Sequence, residues 1–244
     1  MKNYISKLSG DITGQRVMLC LFPFFTFFML KLDSVSFSEN HSQGQFYLNF
    51  IVFLFTLILW FFANKQLKKL IFTMIFLSYL GEIIFCKLLG WYTYRLGNIP
   101  FYVPFGHAIV FASGYILSEL EILKKYDNQL KNIFIYTFFV VFVLLFFLGN
   151  DLFSLISGIL FMLLIRRKRW QTLYFYIAFC VIFIELVGTY YGAWKWKSVL
   201  YKNISTLNPP LGAVFFYAGG DVLLVKIVQI YDRFILNKSF KKQT

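Results

Sequence analysis

Charge is what this chain has least of. Only 14% of its 244 residues are Asp, Glu, Lys or Arg, where an ordinary soluble domain carries about 25%. With 59% hydrophobic residues, that scarcity excludes a soluble domain and points to a polytopic membrane protein. Histidine is nearly absent. His41 and His107 are the only two, too few for the His-rich metal box of a membrane desaturase or hydroxylase. The three cysteines, Cys20, Cys86 and Cys180, all lie in apolar sequence and read as small core residues without a disulfide framework. No Gly-rich phosphate loop and no Gly-x-Ser-x-Gly elbow occurs. Neither a metal nor another cofactor is expected.

Acids are the scarcer sign of charge, 11 against 24 Lys and Arg. In a soluble chain that balance would suggest nucleic acid. In an apolar chain it is the ordinary basic bias of cytoplasmic loops, so no nucleic-acid partner is expected.

What the chain does have is long apolar runs. Residues 46–64 and 132–150 carry no charge at all, and each is long enough to cross the hydrocarbon layer as a helix. The N-terminal Lys2, Lys7 and Arg16 followed by Val17 to Leu30 resemble a signal peptide, but no small-x-small cleavage site follows. The run reads as a first membrane helix.

About eight spans are predicted, at 17–32, 46–63, 70–89, 102–122, 132–149, 152–166, 170–191 and 209–230. The fifth and sixth are parted only by Gly149-Asn150-Asp151, the residues a tight turn needs. The dense basic groups alternate with the other loops. They are the N-terminal lead, Lys65/Lys68/Lys69, Lys124/Lys125/Lys131, Arg166 to Arg169, and the tail with Arg233, Lys238, Lys241 and Lys242. The positive-inside rule then puts both termini in the cytoplasm, in a bacterial inner membrane. The fold class is an all-α membrane domain over residues 1–244.

Two stretches about a hundred residues apart carry nearly the same signals. One is Glu82, Gly90, Trp91-Tyr92-Thr93-Tyr94, Pro100, Pro104-Phe105-Gly106 and Gly114. The other is Glu185, Gly192, Ala193-Trp194-Lys195-Trp196, Pro209-Pro210-Leu211-Gly212 and Gly220. With four spans in each half, 1–124 and 125–244, they predict parallel repeats with a site between the halves.

A carboxylate inside a membrane costs at least ~2.5 kcal/mol and is a functional candidate by default. Glu82 and Glu185 sit at matched places in the third and seventh spans. Asp221 follows Gly219-Gly220 in the last span, where the first half has Tyr115. These three are the expected proton donors and acceptors, and His107 is a candidate relay. The alternative for the glutamates is a salt bridge to Lys87, Arg95, Lys195 or Lys197. Glu119 and Glu121, beside Lys124 and Lys125, read as an interfacial charge cluster. Tyr92, Tyr94, Trp194 and Trp196 stand where an interfacial aromatic belt is expected, and the same side chains are candidates to line a substrate site.

The first stretch, with Glu82, Gly90, Tyr92, Tyr94, Gly97, Pro100 and Val103-Pro104, resembles the integral-membrane carotenoid biosynthesis family typified by bisanhydrobacterioruberin hydratases. The likeness covers residues 82–104. It implies acid-catalysed addition of water to an isoprenoid double bond, with Glu82 as the acid and Tyr92 and Tyr94 shaping the site. The reading of the residues alone is broader. It expects a cofactor-independent membrane enzyme performing hydration, isomerisation or cyclisation on an isoprenoid or other membrane lipid. A carrier using the same acids as a proton or cation relay, and a non-catalytic scaffold, remain open beside it. The sequence leaves the oligomeric state open.

Overall fold

The apolar runs become helices whose ends fall where caps and breakers stand. The computed structural model describes residues 11–169 and 171–240, with side chains in the last helix as far as residue 234. Lys2, Lys7, Lys241 and Lys242 of the orientation reading lie outside the described residues. The long helices are α1 (Ile12–Leu32), α3 (Gly44–Phe62), α4 (Lys65–Glu82), α5 (Tyr102–Glu119), α7 (Asp127–Gly149), α8 (Leu152–Arg167), α9 (Thr172–Tyr190) and α10 (Val214–Phe240). Short helices α2 (Val35–Asn40) and α6 (Glu121–Lys125) lie between them. A π-helical segment, Ile83–Leu88, prolongs α4, and a 3-10 turn, Leu211–Ala213, leads into α10.

Side-chain caps decide several boundaries. The Asp11 carboxylate accepts the Gly14 N–H at 2.9 Å, which starts α1 earlier than the apolar run alone suggests and takes Arg16 into the helix. Asn64 caps α4 by accepting the Leu67 N–H at 2.7 Å. Between α7 and α8, Asn150 takes a left-handed conformation (φ 51°). Asp151 then caps α8 through the Ser154 N–H at 2.8 Å and hydroxyl at 2.6 Å. The fourth apolar run does not stay one helix. It breaks at Leu120, whose extended backbone separates α5 from α6. Helix α10 outlasts its apolar run, with a Lys69–Asp232 ion pair joining its polar end to α4.

Among the described residues, six helical segments are long and apolar enough to cross a membrane: Ile12–Leu32, Gly44–Phe62, Lys65–Leu88, Asp127–Gly149, Thr172–Tyr190 and Leu211–Phe234. Helix α8 is shorter, at 16 residues. Helix α5 is less apolar for a physical reason. It is the middle of the bundle, packed by α1, α3, α4 and α9, and buried along most of its length. A helix that meets protein on every side can carry His107, Ser113 and Glu119 where a lipid-facing one cannot. Its Gly114 lets α9 come so close that a Cβ there would stand 2.5 Å from Ile177, the small-residue packing common between membrane helices.

The remaining packing has a pattern. α1 lies on α3, and α7 on α8; α3 meets α5, and α8 meets α10; α4 meets α5, and α9 meets α10; α5 crosses α9, and α10 crosses α4. Cys86 and Cys180 are buried, as expected. Cys20 is not a core residue, since it faces outward from α1.

The expectation of helices alone misses one element. Tyr92–Tyr94 (β1) and Trp194–Trp196 (β2) are strands that pair antiparallel, Tyr92 opposite Trp196 and Tyr94 opposite Trp194. A second small pair, Val199–Leu200 (β3) and Ile204–Ser205 (β4), follows. The β1–β2 ladder covers one end of the bundle, opposite the end that carries Lys65, Lys124 and Arg166.

Candidate functional site

The site begins with two glycines. Gly90 (φ 60°) and Gly192 (φ 71°) adopt the left-handed backbone that other residues resist. Each turns the chain back just past α4 or α9. The ladder then fixes the side chains, because residues two apart on a strand share a face. Thr93 and Lys195 point outward, while Tyr92, Tyr94, Trp194 and Trp196 are buried against the helices. The belt reading is thus corrected: these aromatics turn inward, drawn by polar partners below them.

Those partners are the two glutamates. Glu82 Oε2 accepts hydrogen bonds from Tyr92 Oη at 2.8 Å and Tyr94 Oη at 2.7 Å. Its Oε1 lies 3.0 Å from His107 Nε2. Glu185 repeats the arrangement with different chemistry. Its Oε2 accepts from the indole nitrogens of Trp194 at 2.8 Å and Trp196 at 3.1 Å, and its Oε1 accepts from Tyr217 Oη at 2.9 Å. Indole N–H only donates, so Glu185 is held as an acceptor. The His107 and Tyr217 rings stack, centroids 5.1 Å apart, and so join the two networks. Both glutamates are 3% exposed.

The salt-bridge alternative for the glutamates is not what forms. Among the described residues neither pairs with Lys or Arg. Arg95 instead pairs with Asp33, Nη2 to Oδ1 at 2.6 Å, and Tyr102 donates to Asp33 Oδ2 at 2.9 Å. Lys87 donates to the Gly97 carbonyl at 2.7 Å. Of the expected charge cluster, Glu119 pairs with Lys124 at 2.9 Å.

Asp221 is different again. It is 2% exposed, and its Oδ2 is buried with no hydrogen-bond partner. It lines a cavity of about 620 Å³ that also reaches Glu82, His107, Glu185 and Tyr217. Every sequence-predicted site residue, the four aromatics included, borders this one space. The rest of the wall is apolar and aromatic, with Trp91, Phe85 and Phe216 prominent. Such a volume holds one small lipophilic molecule.

Burial and the adjacent Glu82 charge push the Tyr92 and Tyr94 hydroxyls well above the usual tyrosine value, so both remain donors at neutral pH. Both oxygens of each glutamate have donors in place and fix the aromatic walls. Of the three acids, Asp221 is the one with a buried carboxylate oxygen that has no hydrogen-bond partner. Among the described residues, no three His, Cys, Asp or Glu side chains gather as a metal site.

Sequence reasoning missed Tyr217, Asp33 and Trp91. Tyr217 carried a faint signal: it lies four residues past Ala213, the counterpart of His107 when the two stretches are aligned, and one helical turn is enough to offset the match. Asp33 carried none, because its partners come from residues 45, 95 and 102.

Comparison with protein-family models, with curated proteins and with solved structures gives no match.

Proposed function

We propose that this chain is a multi-pass membrane enzyme performing acid–base chemistry on a lipophilic substrate held in the central cavity. The observation that carries the reading is the convergence of Glu82, Glu185 and Asp221 on one aromatic-walled space, with Asp221 left unpaired inside it. A buried carboxyl with free capacity, in apolar surroundings, suits proton transfer to or from a double bond or a leaving group. Asp221 exchanges the proton. The glutamates hold the wall aromatics in place, and the aromatic faces favour positive charge developing in the substrate. Hydration, isomerisation and cyclisation all fit. An isoprenoid is the substrate class that the resemblance of residues 82–104 implies.

In this reading α1, α3, α4, α5, α7, α8, α9 and α10 all cross the bilayer, with the β1–β2 ladder on the outer face and both termini in the cytoplasm. The halves are parallel repeats about a twofold axis through the ladder. The matched glutamate networks and the exchange pattern of helix contacts support this. The cavity's exposed lining also favours an enzyme in the lipid phase. Leu80, Ile84 and Leu223 border the cavity and are exposed, so its mouth lies sideways between α4 and α10.

The test is a comparison of lipid extracts from cells expressing the wild-type chain or Asp221→Asn, by mass spectrometry. A lipid species formed with the wild type and lost in a stably folded variant supports the reading. Identical extracts overturn it.

A further inference from the structure

The glycines of this protein fall into distinct groups. At Gly14, Gly44, Gly114, Gly149, Gly158, Gly188 and Gly212 an added Cβ would come within 2.8 Å of a neighbouring atom, so close packing accounts for them. Gly90, Gly97 and Gly192 have positive φ, so backbone geometry accounts for these. Among the described residues four are left: Gly81, Gly106, Gly219 and Gly220. Each is helical, and nothing lies within 4 Å of the Cβ it lacks. Glycine is the poorest helix former after proline, so four such positions with room to spare need another reason.

That reason is their place. All four line the central cavity, from α4, α5 and α10. Two of them, Gly219 and Gly220, immediately precede Asp221. The exposed lining residues Leu80, Ile84 and Leu223 flank them on α4, its π-helical extension and α10. Along this path the helices present bare backbone, and at its inner end stands a carboxylate oxygen without a partner. An unpaired buried acceptor is costly unless a donor reaches it.

We infer that the cavity binds a lipophilic alcohol, its hydroxyl donating to Asp221 and its chain lying over the four glycines and out between α4 and α10 into the bilayer. This names the ligand class of the site in the proposed enzyme and rests on that reading for its chemistry alone. The glycines act as specificity determinants, keeping the channel wide enough for a chain. The hydroxyl supplies the donor that no side chain provides.

Tryptophan fluorescence gives a direct readout, because Trp91, Trp194 and Trp196 line the cavity. With Trp60→Phe and Trp170→Phe, only those three of the five tryptophans remain. The protein is reconstituted in phosphatidylcholine vesicles and titrated with a dodecanol brominated on the carbon next to its hydroxyl-bearing carbon, then with its methyl ether. Saturable quenching by the alcohol, with the ether roughly tenfold weaker for the lost donor, is expected. Gly220→Leu and Asp221→Leu should each abolish saturation, while Leu163→Phe, which adds bulk on the exposed face of α8, leaves it unchanged. Equal quenching by alcohol and ether overturns the hydroxyl contact, and this comparison needs no substitution in the cavity. Saturation surviving Gly220→Leu overturns the path. Alcohol binding together with identical wild-type and Asp221→Asn lipid extracts leaves this site standing and overturns the enzyme reading alone.

Discussion

Tyr94 and Trp194 face each other across the β1–β2 ladder, and each gives its polar hydrogen to a different glutamate. Tyr94 donates to Glu82 at 2.7 Å and Trp194 to Glu185 at 2.8 Å. The ladder therefore does more than close one end of the bundle. It seats four aromatics on two buried acids and sets the roof of the cavity.

Replacing Glu185 separates its acceptor role from its charge. Glu185→Gln retains an oxygen for the two indoles and can donate to Tyr217. Glu185→Leu strands both indole N–H groups in apolar surroundings. The leucine variant should be roughly 2–6 kcal/mol less stable than wild type, at about 1–3 kcal/mol per stranded indole donor. The glutamine variant should stay much nearer wild type. Thermal unfolding in detergent checks this, and equal midpoints for the two variants would rule the acceptor role out.

Arg95 and Asp33 form a buried ion pair, with Asp33 fully enclosed. Removing one partner leaves an uncompensated buried charge, so Arg95→Met should cost about 3–5 kcal/mol. Replacing both, with Asp33→Leu added, should recover a large part of that loss. A double variant as unstable as Arg95→Met would show that the pair does not act as a unit.

The tyrosines beneath the ladder make alkaline stability a test of the Glu82 network. Their hydroxyls are held well above the ordinary value of 10.0, by burial first and then by Glu82. The unfolded chain loses these protons near pH 10 while the folded chain keeps them. Stability should thus be intact below that pH and fall as pH rises above it. Tyr92→Phe with Tyr94→Phe should flatten this fall. In the folded wild type both hydroxyls should also be missing from the tyrosinate absorbance gained between about pH 9 and pH 11. Full titration of all tyrosines in that range would contradict the geometry.

Membrane orientation can be read by labelling. In a background without Cys20, Cys86 and Cys180, single cysteines at Asn98 and Lys202 should react with an impermeant thiol reagent in intact cells. A cysteine at Lys125 should react only after lysis. The reverse pattern would invert the assignment of the ladder to the outer face.

Much of this arrangement was legible because lipid and buried charge both leave strong marks on sequence. Uncharged runs such as 46–64 announce helices, and Glu82, Glu185 and Asp221 stand out in them. The Gly149-Asn150-Asp151 turn followed from residue type. The ladder was the harder element. Tyr-x-Tyr and Trp-x-Trp each show the two-residue period of a strand, but three residues are too few to be read so without the partner strand. Helix α5 was visible as an apolar run, whereas its central place was not, because which helices pack around it is set by contacts between distant parts of the chain. Asp33 depends on long-range packing, which no local pattern encodes, and the repeat marks Tyr217 only faintly, one helical turn away from the place of His107.

Each glutamate finds its donors within its own half of the chain: Glu82 within 25 residues and Glu185 within 32. For a polypeptide threaded into a bilayer from its N-terminus, this ordering has a consequence for biogenesis. The first acid can be sheltered by Tyr92, Tyr94 and His107 before the second has been synthesised, so no intermediate needs to hold two naked carboxyls in lipid. The strand pairing is then a late seam between two halves whose polar interiors are already closed. A chain cut near Lys125 and expressed as two pieces has what it needs to reassemble along that seam.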